Sequence, residues 1–129
     1  MSASGIHHLG LSVSDLDQTS AFFTDCLGWK VAREVPDYPA RFVTNGTAFF
    51  TLWQTGPQAT AFDRKNQVGL HHVALAVADE SELLSLFARI EAYPGVQVEF
   101  APQPVGDGPA RHCMFYEPGG IRMELFLAP

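Results

Sequence analysis

The sequence predicts an α+β fold built from two paired βαβββ modules, each a curved sheet with a helix on one face. Three observations carry that expectation. First, Gly5-Ile6-His7-His8-Leu9-Gly10-Leu11-Ser12-Val13-Ser14-Asp15 recurs as Gly69-Leu70-His71-His72-Val73-Ala74-Leu75-Ala76-Val77-Ala78-Asp79, with Gly, both His, Leu, Val and Asp at the same offsets. A self-match at fixed period sets the architecture ahead of any local reading. Second, each copy ends on an Asp suited to cap a helix. Third, three strand-like segments follow each helix. The chain reads as one domain, residues 1–129, with module 1 at about 5–55, a linker at about 56–67 and module 2 at about 68–128.

Residues 6–13 alternate and are rich in Leu and Val, as a half-buried strand requires. His8, Gly10 and Ser12 share one face; His7, Leu9, Leu11 and Val13 share the other. Asp15 with Gln18 three residues on is a variant capping box. Leu16, Phe23 and Leu27 follow at helical spacing, and Gly28 is placed to stop the helix. The second half repeats this with Asp79 and Glu82, then Leu83, Leu86, Phe87 and Ile90, ending before Pro94-Gly95. Strands are expected at 30–35, 40–45 and 47–54, with Asn45-Gly46 turning a hairpin, and at 96–101, 110–116 and 121–127. Residues 55–67 are polar and turn-rich, and residues 102–109 read as a loop able to lie over a cavity.

Composition bounds the function. With 47% hydrophobic and 17% charged residues, this is ordinary globular chain, not disorder. The net charge of −6 and scattered Lys and Arg argue against nucleic acid. No apolar run approaches the roughly 20 residues that span a bilayer. Met1-Ser2-Ala3-Ser4 lacks the charge and apolar run of a signal peptide, and Cys26 and Cys113 make no disulfide framework. A cytoplasmic protein is expected.

Facing then selects a constellation. If Leu9, Leu11 and Val13 pack on the helix, His8 points to the open face, and by the same logic so does His72. In the last strand Met123, Leu125 and Leu127 form the apolar side, leaving Arg122, Glu124 and Phe126 on the open one. Phe50 and Leu52 pack on the helix and Thr51 does not. His8, His72 and Glu124 form a 2-His-1-carboxylate set, which binds a divalent metal and leaves coordination positions open. Taken singly, each is more often a hydrogen-bonded or solvated residue than a ligand; a repeat-related His pair with an inward Glu is harder to reach by accident. His7 and His71 are expected on the opposite side, in structural hydrogen bonds. Arg122 reads equally as a clamp for a substrate carboxylate or as a counterion to Glu124. His112 and Tyr116, on a strand whose facing is open, are acid–base candidates. Phe49, Trp53 and Phe126 suit an aromatic pocket, with aromatic core the default.

Gly5-Ile6-His7-His8, Val13-Ser14-Asp15-Leu16, Phe22-Phe23 and Leu27-Gly28-Trp29, with Glu117-Pro118-Gly119-Gly120-Ile121-Arg122-Met123-Glu124-Leu125, resemble the vicinal oxygen chelate superfamily of glyoxalases, bleomycin-resistance proteins and extradiol dioxygenases. The resemblance covers essentially the whole chain. It implies the glyoxalase/bleomycin resistance/dioxygenase fold around a metal cleft, a homodimer, and one divalent ion per site that chelates neighbouring oxygens of a small substrate. The family's metal positions fall on His8, His72 and Glu124. Where glyoxalase I carries a fourth ligand Glu and epimerase-like members a Gln, this chain has Thr51; where fosfomycin-modifying enzymes carry a catalytic Thr, it has Gly10. Bleomycin-binding members lack the metal ligands. The arrangement that remains is the extradiol dioxygenase one, with Fe(II) favoured and Mn, Ni, Co or Zn compatible, and with Thr51, Arg122, His112 and Tyr116 as catalytic candidates. The alternatives are a glyoxalase-like lyase or isomerase, and a metal-free binding protein of the bleomycin-resistance type.

Overall fold

A computed structural model describes residues 2–129. The chain divides into two compact units, one through Ala59 and one from Thr60 to Pro129. The first carries β1 (Leu9–Val13), α1 (Leu16–Ala21) with a π-helical turn (Phe22–Cys26), β2 (Lys30–Val35), β3 (Ala40–Thr44) and β4 (Phe49–Gln54). The second carries β5 (Val73–Ala76), α2 (Glu80–Ala92), β6 (Gln97–Pro104), β7 (Arg111–Tyr116) and β8 (Arg122–Leu127). Each is a four-stranded mixed sheet, in the orders β1-β4-β3-β2 and β5-β8-β7-β6. In both, the first and last strands pair in parallel and the rest antiparallel.

The caps read from sequence are the caps observed. Asp15 and Asp79 accept from the backbone N–H of Gln18 and Glu82, at 3.0 and 2.8 Å. Glu82 reaches back past the cap, accepting from Ala78 N at 2.6 Å. Gln54 ties β4 to the start of α1, accepting from Leu16 N at 2.8 Å and donating to the Ser14 carbonyl at 2.8 Å. Gly28 has φ +74° just past the first helix, a left-handed turn that an L side chain rarely adopts. In unit 1 the helix-side core contains Leu11, Val13, Leu52, Phe22 and Phe23, with Trp29 lying 5.0 Å from Phe23 and 5.2 Å from Phe50 between ring centroids. In unit 2, Leu83, Phe87 and Ile90 of α2 are buried, as are Cys113, Phe115, Met123 and Leu125 of the sheet. Each such side chain contributes about 1.5–3 kcal/mol by leaving water.

Three local expectations need correction. The first helix is not α throughout: Leu27 N bonds back to the Phe22 carbonyl, and the wider π turn lets Phe22 and Phe23 both be fully buried. The first strand starts at Leu9 and its repeat at Val73, so strand alternation does not govern His7, His8, His71 or His72. Residues 102–104 continue β6 instead of starting a loop. Prolines are tolerated there because β6 is an edge strand, which needs no donor on its outer side. From Thr60 onward the chain is grouped with unit 2, where Arg64 Nη1 donates to Tyr116 Oη at 2.7 Å.

Candidate metal centre

The last strand of unit 2 sets the chemistry. Alternation sends Met123 and Leu125 into the core, leaving Glu124 on the opposite face, in register with Ala74 of β5 and Met114 of β7. The small side chain at Ala74 leaves room beside the carboxylate. Glu124 is only 6% exposed, and each of its oxygens meets an imidazole. His72 Nε2 lies 3.2 Å from Oε1, and His112 Nδ1 lies 2.5 Å from Oε2. The facing of His112, open in the sequence, is therefore fixed: its ring packs against Phe100 at 4.8 Å and beside Phe126 at 6.3 Å, directed at Glu124. A carboxylate removed from water needs a proton or cation to compensate it. Imidazole and carboxylate are the donor types that suit such an ion.

Of the two roles expected of Arg122, that of counterion to Glu124 is not observed. Its Nε and Nη2 bind the two oxygens of Glu99 at 2.9 and 2.7 Å, so its counterion is Glu99 and not Glu124. Hydrogen bonding from Arg122 holds the Glu99 carboxyl down at about 2, from an ordinary 4.5. Glu99 in turn raises the Arg122 guanidinium. Tyr116 belongs to this second cluster: it donates to Glu99 Oε1 at 3.2 Å and accepts from Arg64. Glu99 and Arg64 carry no signal in the sequence, since β6 slips its register at two bulges and Arg64 lies outside any strand.

His7 and His71 do not point away from their neighbours. Nδ1 of His7 lies 2.8 Å from Nδ1 of His8, and the same distance separates Nδ1 of His71 and His72. His71 also sits 3.3 Å from Arg122 Nη1. Lost solvation first, and the Arg122 charge second, lower the His71 pKa.

Unit 1 has a different open face. Thr51 stands in register with Gly10 of β1 and Phe42 of β3 and is buried. Its Oγ1 accepts from Trp53 Nε1 at 2.9 Å. A Cβ at Gly10 would come within 3.2 Å of that hydroxyl, tighter than side chains ordinarily pack. Phe42 lies 6.1 Å from Phe49 and 5.7 Å from Trp53, and Tyr38 lies 4.6 Å from Trp53. These rings form an aromatic panel beside Thr51. His8 is exposed just before β1. It belongs to the first unit, and His72 and Glu124 to the second. Among the described residues, no three His, Cys, Asp or Glu side chains are gathered as a ready metal cluster.

Residues 5–125 match the family model described as the Glyoxalase/Bleomycin resistance protein/Dioxygenase superfamily. A "2-epi-5-epi-valiolone epimerase" of Actinomyces sp is 30% identical, over 98% of this chain and 81% of that protein. A "Probable lactoylglutathione lyase, chloroplastic" of Arabidopsis thaliana is also 30% identical, over 92% of this chain; the match spans only 34% of the longer plant protein. Among solved structures, a glyoxalase/bleomycin resistance protein/dioxygenase domain from Frankia sp. EAN1pec matches with TM-score 0.83 and 25% identity, covering 99% of this chain and 94% of that one. A point mutant of the fosfomycin resistance protein FosX from Listeria monocytogenes, complexed with Mn(II) and 1S,2S-dihydroxypropylphosphonic acid, matches with TM-score 0.71 and 22% identity, covering 95% of this chain and 88% of that one. Neither of these two sequence relatives is an extradiol dioxygenase, so the oxygenation expected from sequence finds no support here, whereas the lyase or isomerase alternative fits. The chain belongs to the vicinal oxygen chelate superfamily, with the fold its doubled His-His segment predicts.

Proposed function

We propose that this protein is a divalent-metal-dependent isomerase or lyase that shifts a proton at the carbon beside a carbonyl, in a small substrate with neighbouring oxygens. The observation that carries the reading is Glu124, a buried carboxylate whose two oxygens each face an imidazole nitrogen. The relatives named epimerase and lyase support the reaction class. His8, His72 and Glu124 are the ligands in this reading. When bound, the ion supplies Lewis-acid polarisation of the substrate carbonyl.

The other residues have roles that their contacts allow. His112 holds the Oε2 side of Glu124, leaving Oε1 toward His72. Thr51 already accepts the Trp53 indole N–H, so its own hydroxyl proton is available to reach a substrate oxygen. The panel of Phe42, Phe49 and Trp53 excludes water around a substrate of modest size. Mn(II), Ni(II), Co(II), Zn(II) and Fe(II) all suit the donor set. A homodimer and a reducing, cytoplasmic setting complete the proposal. Cys26 and Cys113 are both buried thiols, and burial pushes the Cys113 thiol up to about 11.

The test is proton exchange. Protein titrated with Mn(II) or Zn(II) is incubated with an α-hydroxy ketone in D2O, and deuterium at the carbon beside the carbonyl is followed by NMR. Metal-dependent wash-in that disappears in Glu124→Ala is expected. Oxygen uptake with a catechol on the Fe(II) protein, without wash-in, would overturn the reading in favour of oxygenation. Failure to bind any of these ions would leave a metal-free binding protein.

A further inference from the structure

The contacts around His71 bear on where its neighbour carries a proton. Arg122 is always charged and has donors only. Glu99 occupies its Nε and Nη2, and the remaining nitrogen, Nη1, points at His71 Nδ1 from 3.3 Å. A donor there requires His71 Nδ1 to be a bare acceptor, with its proton on Nε2. The same Nδ1 lies 2.8 Å from His72 Nδ1. Two bare nitrogens at that distance repel, so His72 Nδ1 must carry a hydrogen and donate it. His71 Nδ1 is then a shared acceptor of two donors, a common three-centre arrangement.

We infer that Glu99, Arg122 and His71 form a tautomer relay that keeps the proton of His72 on Nδ1 and presents Nε2 as a lone pair. Arg122 and His71 are thus positioning residues for the ligand nitrogen; that part of their meaning rests on the metal reading proposed above. With Nδ1 protonated, Nε2 of neutral His72 faces the carboxylate oxygen Oε1 across 3.2 Å, acceptor to acceptor. Such a pair is relieved by a cation between or beside its members. The Glu124 carboxylate pulls the other way, toward a proton on Nε2, so the relay has a measurable opponent. The protein also contains its own control. His7 and His8 repeat the 2.8 Å Nδ1 contact, but the residue of β4 corresponding to Arg122 is Phe49, which has no donor.

The experiment is long-range 15N–1H NMR of histidine side chains in metal-free full-length protein, well above the ordinary imidazole pKa of about 6.5. The expected spectrum has His72 as Nδ1–H, His71 as Nε2–H, and His7 and His8 as averaged tautomers. Arg122→Leu should shift His71 and His72 toward the averaged pattern. His71→Asn, which keeps an acceptor near Nδ1, should retain Nδ1–H on His72, whereas His71→Leu should not. Because Arg122→Leu strands Glu99, the Glu99→Leu/Arg122→Leu pair provides a folded comparison without the stranded charge. Affinity for Mn(II) should fall about 10- to 100-fold in Arg122→Leu, as for other outer-shell partners. A wild-type His72 found as Nε2–H, or one as averaged as His8, would sink the relay. Locked tautomers in a protein that binds no metal would uphold the relay and discard the enzyme reading.

Discussion

The two units share strand order, parallel pairing of first and last strands, and an Asp-capped helix, but corresponding positions on their open faces carry opposite chemistry. Glu124 pairs with Ala74 as Thr51 pairs with Gly10. His112 pairs with Phe126 as Ala40 pairs with Trp53. Arg122 stands where unit 1 has Phe49. Unit 2 thus concentrates a carboxylate, imidazoles and an ion-paired network, while unit 1 offers a hydroxyl, an exposed imidazole and aromatic rings. The difference teaches that the repeat is a property of the scaffold and its core-facing residues. The open face escapes that constraint, because alternation in a strand lets one side change without disturbing the other.

The sharpest way to break the comparison is to cut the corresponding pair Glu124 and Thr51. Glu124→Ala is expected to cost metal affinity well beyond the roughly 10- to 100-fold of an outer-shell loss, while Thr51→Ala costs no more than that range. Calorimetric titration with Mn(II) reads both. If the two variants lose equally, the metal is not centred on unit 2. His112→Ala comes next, with a loss of about 10- to 100-fold, because Glu124 Oε2 loses its imidazole partner while His72 still faces Oε1.

A third test sharpens what is shared. Asp15→Ala and Asp79→Ala each remove a cap of the same geometry and should each cost about 0.5–2 kcal/mol in urea unfolding, with no preference between units. A much larger loss for one would mean that the helices are not equivalent supports. The smallest effect is confined to unit 2. The Glu99 carboxyl is depressed to about 2 from 4.5, so its ion pair stabilises the fold above about 4.5 and is lost as pH falls toward 2. Glu99→Gln should therefore be less stable than wild type near neutrality, by on the order of 1 kcal/mol for a pair this open to solvent, and the gap should close in acid. A gap that persists at the acid end would contradict the assignment.

Most of the fold is legible in the sequence because it rests on local signals. The doubled His-His segment, the Asp caps and the facing of Phe50, Leu52, Met123 and Leu125 all follow from spacing alone, and these four residues are buried as alternation requires. The same rule puts Glu124 and Thr51 on the open face. What escapes it depends on partners far apart in sequence. The bidentate Glu99–Arg122 pair requires the register of β6, which two bulges displace from simple alternation. The orientation of His112 is undecidable from sequence because Cys113, Met114 and Phe115 are all buried, so neither parity of β7 stands out as polar. The contacts of His7 and His71 lie beyond period-two reasoning, because both residues precede the strands to which it applies.

The two tryptophans, described above as a core ring and a hydrogen-bond donor, also divide the protein optically. Trp29 is 7% exposed between Phe23 and Phe50, and Trp53 lies half-buried beside Thr51. The first belongs to an apolar surround that favours blue-shifted emission shielded from dissolved quenchers. The second belongs to a more polar one, open to acrylamide and sensitive to whatever settles on the aromatic panel. With only these two indoles in the chain, Trp53→Phe leaves a reporter of folding in unit 1 and Trp29→Phe leaves a reporter of occupancy. Ligand screening could then be read by colour, without a labelled substrate and without knowing the reaction.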